Sequence, residues 1–152
     1  MTGERRLVIA IAILALIGAG VAGYLTYVHY AHTSVFCVSG GAGCEKVQSS
    51  SYAKLAGVPV ALLGLIGYLA LLASLAVRGD AGRFAGALIA LAGFGFSLYL
   101  TYRELFTIKA VCQWCVASAV IMTALAVLTT VRLVRAEEKP FGTLGARVGS
   151  RS

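Results

Sequence analysis

The residues in this sequence best suited to chemistry are its four cysteines, which form two pairs of different character. Cys112 and Cys115 enclose Gln-Trp, a C-x-x-C spacing that places both sulfurs on one face of a helix. Cys37 and Cys44 enclose six residues, three of which are glycine. Because thiols in such arrangements form and exchange disulfides, the pattern predicts redox chemistry.

The rest of the chain is too apolar for a soluble domain. Hydrophobic residues make up 59% of the 152 residues and charged residues only 12%, against roughly 25% charged residues in soluble domains. Four uncharged runs have about the 20 residues that a helix needs to cross a bilayer, and they cover residues 7–28, 58–77, 84–102 and 111–131. None alternates as a barrel strand does. We therefore expect an all-α integral membrane bundle of four transmembrane helices.

Segments outside these runs complete the predicted organisation. Residues 45–57 are too polar to cross the membrane and are expected to form a short extracytoplasmic loop or helix that caps the bundle. After a membrane domain at residues 1–135, residues 136–152 are expected to form a disordered cytoplasmic tail. The N-terminal run resembles a secretory signal, but it exceeds the roughly 7 to 15 apolar residues of such signals, which favours a retained span.

The distribution of positive charge predicts the orientation of the bundle. With four crossings the connecting segments alternate sides, and 9 of the 13 lysines and arginines fall on the side of the two termini. Positive residues near span ends are retained in the cytoplasm, so both termini are expected to be cytoplasmic in a bacterial plasma membrane. The net charge of +7 thus reflects topology, and nucleic-acid binding, which needs a basic face on a folded domain, is disfavoured.

Counting the crossings places both cysteine pairs on the extracytoplasmic side. Cys37 and Cys44 follow the first run, and Cys112 and Cys115 open the fourth. Disulfides persist in that compartment, which bacteria keep oxidising through a relay that ends at quinone. A C-x-x-C at the start of a helix favours a thiolate with a lowered pKa, and the glycines of the other pair favour a mobile loop.

Two other interpretations of the cysteines are a pair of inert disulfides and a zinc site with four thiolate ligands. Zinc sites usually use C-x2-4-C spacing in both halves, and the wider spacing of Cys37 and Cys44 fits that poorly. His29 and His32 lie at the outer end of the first run and are expected in the interfacial belt of the membrane. No metal site is predicted.

The order and surroundings of the cysteines resemble those of the vitamin K epoxide reductase family, and in particular its bacterial members, over residues 7–131. The resemblance is carried by the loop cysteine pair, the segment Cys-Glu-Lys-Val-Gln-Ser-Ser-Ser-Tyr-Ala at 44–53, Gly-Val-Pro at 57–59, residues 64–68 and the late C-x-x-C. Each motif is weak alone, and the combination is specific.

The resemblance implies a membrane thiol-disulfide oxidoreductase that takes electrons from a thioredoxin-fold partner and gives them to a quinone, either ubiquinone or menaquinone. Cys37 would exchange with the partner, and Cys44 would be able to bridge to Cys112. Cys115 would lie beside the quinone ring, and Ser50 matches a serine that the family places near that site. The net product would be disulfides in secreted proteins.

Two departures from the family pattern alter what is expected. Animal members hold the quinone headgroup with an asparagine and a tyrosine, at positions that correspond to Val60 and Ala119 here, so vitamin K epoxide reduction is not the predicted activity. Many bacterial members carry a fused thioredoxin-like domain after the last span, whereas few residues follow residue 131 here, and the expected partner is a separate DsbA-like oxidase.

An apolar pocket near Phe36, Trp114 and Tyr99 is expected to accept the quinone ring.

Other classes of four-helix membrane protein fit the sequence less well. The DsbB family performs the same chemistry, but its C-x-x-C lies in the first outer loop. A small multidrug transporter needs an ionisable group inside a span, and the six acidic residues lie outside the runs or at their edges. A structural or transport protein with inert disulfides remains the alternative, and it would tolerate the loss of all four thiols.

Overall fold

The computed structural model describes residues 2–38, 40 and 42–149, with the side chains of Thr2 and of residues 139–149 left out of the description. Five α-helices account for most of this chain, and they run from Thr2 to Ala31 (α1), Ala42 to Ser49 (α2), Val60 to Ala76 (α3), Asp80 to Tyr102 (α4) and Gln113 to Gly149 (α5). The all-α membrane bundle predicted from the sequence is confirmed.

Among the described residues, three stretches of helix are long and apolar enough to cross a membrane, and they are Gly3–Ala31, Asp80–Ile108 and Gln113–Glu138. The fourth apolar helix, α3, has 17 residues, which is at the short end of the about 17 to 25 residues found in membrane helices. It is shorter than its predicted run because Val58 and Pro59 belong to a β-hairpin instead. Proline donates no backbone hydrogen bond, so it suits the position directly before a helix.

The four long helices form a closed bundle in which each packs against two neighbours. Helix α1 contacts α3 and α5, and α4 contacts the same two helices from the other side. The core between them is fully buried at Ile11, Tyr68, Leu71, Ala90 and Leu125. Large apolar side chains remain exposed around the outside of the bundle, as expected of a surface that faces lipid.

Close helix contacts require glycine at a few positions only. A Cβ atom on Gly18 would overlap the ring of Tyr68, and one on Gly82 would overlap the backbone oxygens of Ser74 and Val77 at the α3–α4 turn. Gly20, by contrast, has no atom within 4 Å of such a Cβ. Some of the glycines in the apolar runs therefore serve packing, while others face open space.

Short elements cap one end of the bundle. Helix α2 is followed by a 3-10 turn at Ser51–Ala53 and by an antiparallel hairpin of two strands, Lys54–Leu55 (β1) and Val58–Pro59 (β2). On the other side of the cap, a π-helical turn at Arg103–Ile108 extends α4 before the chain enters α5. The predicted helical cap is thus a short helix with a hairpin, and Val47 and Cys44 are buried in its helix.

At the opposite end of the chain, α5 remains helical as far as Gly149. It therefore continues through most of the segment that was expected to be a disordered tail, and no helix end marks the boundary at residue 135. The division into a membrane domain and a tail stays a prediction, and residues 150–152 lie outside the described residues.

Candidate active site

All four cysteines lie in one apolar cluster at the capped end of the bundle. Cys44 and Cys112 are among its buried members, and Cys37 and Cys115 pack against them. The cluster combines the end of α1, the start of α2 and the start of α5. The structure therefore brings together the thiols that the count of crossings placed at one end, while their individual roles remain predictions.

The outer pair, Cys37 and Cys44, forms a disulfide whose Cα atoms are 6.6 Å apart. Cys44 lies in the first turn of α2 and is 2% exposed, whereas Cys37 is partly exposed in the preceding loop. The side chains that flank Cys37 point outward, since Phe36 is 70% exposed and Val38 is 81% exposed. A thiol from outside can therefore approach this disulfide from the side of Cys37.

The inner pair, Cys112 and Cys115, consists of free thiols at the head of α5. Cys112 directly precedes the membrane-crossing helix, and its carbonyl oxygen accepts a hydrogen bond from the Val116 amide at 3.0 Å. A hydrogen bond from the Cys115 thiol lowers the pKa of Cys112 below that of an ordinary cysteine, and burial opposes this effect. The predicted position of the C-x-x-C at a helix start is confirmed.

Hydrogen bonds hold the loop that carries Cys37 over the head of α5. The Gln113 side-chain oxygen accepts a hydrogen bond from the Val38 amide at 3.2 Å, and the Trp114 indole donates one to the Phe36 carbonyl at 2.8 Å. The Tyr24 hydroxyl accepts from the Phe36 amide, and its ring lies 5.2 Å from that of Trp114. The two residues inside the C-x-x-C thus fasten the outer pair to the inner pair.

A cavity of about 480 Å³ lies beside the inner pair, between the cap and helices α3, α4 and α5. Its volume falls within the roughly 300 to 1,000 Å³ typical of small-molecule sites. Of the four cysteines, all of which are described, Cys115 is the one that lines it. Ser50 also lines it, and its hydroxyl donates a hydrogen bond to the Val47 carbonyl at 2.7 Å.

The cavity wall is mostly apolar, with a few polar groups. Val60 and Ala119, which the resemblance aligns with the headgroup ligands of animal members, both line it. The wall also contains Tyr68 and Ser118, whose hydroxyl oxygens lie 2.8 Å apart and share a hydrogen bond. These two hydroxyl groups are thus available for polar contacts in the cavity.

The prediction of which aromatic residues line this pocket was wrong. None of Phe36, Trp114 and Tyr99 lines the cavity, because Trp114 is directed to the loop, while Phe36 and Tyr99 are exposed. The aromatic side chains of the wall are instead Tyr52, Tyr68 and Phe96. Which face of a helix turns inward depends on packing, and the spacing of aromatic residues alone does not determine it.

Sequence reasoning also missed Glu104, which it placed at the edge of the third run. Glu104 lies in the π-helical turn, is 5% exposed and lines the cavity. Its Oε2 atom accepts a hydrogen bond from the Cys112 amide at 3.4 Å. The available signal was a carboxyl group at the end of an apolar run, eight residues before the first cysteine of the C-x-x-C.

The burial of Cys44 and Cys112 in one cluster predicts that these two thiols can pair. In a Cys37→Ala/Cys115→Ala variant, mild oxidation should join Cys44 to Cys112, detected by peptide mass spectrometry after digestion without reductant. The matched Cys44→Ala/Cys112→Ala variant should form the Cys37–Cys115 link far more slowly, because Cys115 faces the cavity. Equal yields in the two variants would contradict this arrangement.

The sequence was also compared with models of known protein families. The model of the vitamin K epoxide reductase family matches residues 9–130, a range that contains both cysteine pairs, the cavity and the hydrogen bonds between the outer loop and α5. Members of this family are membrane proteins that exchange thiols and disulfides. The chain therefore belongs to the vitamin K epoxide reductase family and is a membrane thiol-disulfide oxidoreductase.

Proposed function

We propose that the protein reoxidises an extracytoplasmic thioredoxin-fold partner of the DsbA type and passes the electrons to a membrane quinone. The observation that carries this proposal is the position of Cys115. This residue is a free thiol in the wall of an apolar cavity that lies within the helix bundle. A quinone is the electron acceptor that dissolves in lipid and fits such a site.

The positions of the two pairs support the order of the relay. The outer pair lies at the exposed loop, and the inner pair lies between it and the cavity, which Cys115 lines. Static disulfide staples would give no reason for a cysteine pair beside a cavity. A zinc site with four thiolate ligands usually has C-x2-4-C spacing in both halves, which Cys37 and Cys44 do not have.

The first step of the proposed relay uses the exposed end of the outer disulfide. A thiolate of the reduced partner attacks the Cys37 sulfur, the Cys37–Cys44 bond breaks, and Cys44 leaves as a thiolate. The second partner thiol then attacks the mixed disulfide, which releases an oxidised partner and reduced Cys37. Two electrons have then entered the outer pair.

The second step moves these electrons from the outer pair to the inner pair. The Cys44 thiolate attacks Cys112 in an inner disulfide, Cys115 leaves as a thiolate, and Cys37 closes the outer disulfide again. Oxidation of the inner dithiol then gives a Cys112–Cys115 disulfide, and the quinone takes two electrons and two protons to become the hydroquinone. Each bond that breaks is replaced, and the enzyme returns to its starting state.

The surface around Cys37 suits an extended apolar segment of a partner. Phe36 and Val38 are largely exposed on either side of the cysteine, and exposed apolar side chains that cluster around a reactive group are typical of interaction sites. The arginines and lysines on the opposite side of the bundle favour an extracytoplasmic position for this surface.

Replacement of Cys115 should separate the two halves of the relay. In Cys115→Ala, the reduced partner should still be oxidised once per protein molecule, because the Cys37–Cys44 disulfide is intact, but quinone reduction should fall to the background rate. The measurement is stopped-flow absorbance of ubiquinone alongside gel analysis of the partner. Quinone reduction at the wild-type rate in this variant would refute the proposed route.

Filling the cavity should weaken quinone binding without touching a thiol. Gly67 lines the cavity, and a Cβ atom there would have no neighbour within 4 Å, so Gly67→Leu should raise the KM for quinone on the order of tenfold or more, as lost uniform binding does. The matched control is Gly20→Leu, a helical glycine with equally open surroundings that does not line the cavity. An unchanged KM for quinone in Gly67→Leu would contradict quinone binding in this cavity.

A further inference from the structure

Glu104 is a buried acidic side chain to which the thiol exchange steps assign no role. It lies in the π-helical turn that extends α4, where its carbonyl oxygen accepts a hydrogen bond from the Ala110 amide at 3.2 Å. Lys109 ends the turn in the left-handed conformation, with φ of 51°, and the chain then reverses toward Cys112. Single π-helical turns of this kind are frequent at functional sites.

The carboxyl group of Glu104 contacts both cysteines of the inner pair and the cavity. Its Oε2 atom accepts the Cys112 amide hydrogen bond at 3.4 Å. The same carboxyl group lies against the Cys115 thiol. Since Glu104 and Cys115 also line one cavity, this carboxyl group and the Cys115 sulfur both border the space assigned to the quinone.

Glu104 has no ion-pair partner among the residues that the structure describes. The guanidinium of its neighbour Arg103 lies instead over the rings of Tyr52 and Tyr99, at 4.9 Å and 5.2 Å from their centroids. A carboxylate that is 5% exposed and has no paired cation is costly to keep ionised. Such a group is suited to take up and release a proton.

We propose that Glu104 is the catalytic acid-base group that carries protons from the inner thiols to the quinone. The inference rests on the proposed quinone function, because it concerns the protons of that same step. The overall step breaks two S–H bonds, forms the Cys112–Cys115 bond and two O–H bonds, and moves two electrons to the quinone. Both protons must cross a site that excludes bulk water.

In the first transfer, the Glu104 carboxylic acid donates its proton to a quinone oxygen while the Cys115 sulfur gives electrons to the ring. The resulting carboxylate then accepts the proton of the Cys115 thiol and becomes a carboxylic acid again. The Cys112 thiol supplies the second proton by the same route as the disulfide closes. Glu104 is unchanged at the end, so no additional reactant is needed.

The test follows the single oxidation of fully reduced protein by a short-chain ubiquinone in stopped flow. Glu104→Gln keeps the size of the side chain and removes its ability to accept and donate a proton, and it should slow quinone reduction on the order of 10²-fold, the lower range for general acid-base catalysis. Glu104→Asp, which keeps a carboxyl group, should lose less of the rate of quinone reduction. The matched control is Glu45→Gln, which removes an exposed carboxyl group next to Cys44 and should react at the wild-type rate.

A second variant distinguishes proton transfer from a structural contact. Glu104→Ala should be slow and should be accelerated by added formate, which can replace a missing carboxyl group. All rates are normalised to the protein that oxidises one equivalent of a purified reduced DsbA-like oxidase through Cys37–Cys44, so misfolded protein does not enter the comparison.

The outcomes separate this inference from the function on which it rests. Wild-type rates in Glu104→Gln, or a slow Glu104→Ala that formate does not accelerate, would overturn the role of Glu104 alone. If the wild type and Glu45→Gln also fail to reduce ubiquinone and menaquinone, the proposed quinone function is contradicted, and the role of Glu104 that rests on it is contradicted as well.

Discussion

The packing of the outer cysteine loop against the head of α5 is the constraint on which the activity depends. Thiol-disulfide exchange requires sulfur atoms to come into contact, and Cys37 and Cys112 belong to distant parts of the chain. Hydrogen bonds from Val38 to Gln113 and from Trp114 to Phe36 join segments that are 75 and 78 residues apart. The Gln-Trp inside the C-x-x-C therefore has a structural role in addition to its spacing.

The same packing would give the proposed relay a direction from water to lipid. Cys37 is partly exposed beside two exposed apolar side chains, Cys44 and Cys112 are buried in the shared cluster, and Cys115 faces the cavity. A soluble partner can reach the first of these thiols, and a ligand in the cavity can reach the last. Burial of the intermediate thiols protects them from side reactions with water-borne oxidants.

The parts of the site that local pattern controls could be predicted from the sequence. Hydrophobic runs of membrane length gave the helices, and the number of crossings placed Cys44 and Cys112 at the same end. The C-x-x-C lies at a helix start because α5 begins at Gln113, close to the start of the predicted fourth run at residue 111.

The parts that tertiary packing controls could not be predicted in this way. The direction of Trp114, the aromatic wall of the cavity and the start of α3 at Val60 depend on how helices are rotated and joined. The sequence places Glu104 only at the edge of the third run, because it does not show that a π-helical turn buries this side chain against the C-x-x-C.

The most direct test of the account is the order in which disulfides form when fully reduced protein in membranes meets quinone. Samples quenched in acid at successive times, alkylated and mapped by mass spectrometry should show the Cys112–Cys115 disulfide first and the Cys37–Cys44 disulfide later. Appearance of the outer disulfide before the inner one would contradict the claim that electrons leave the protein through Cys115.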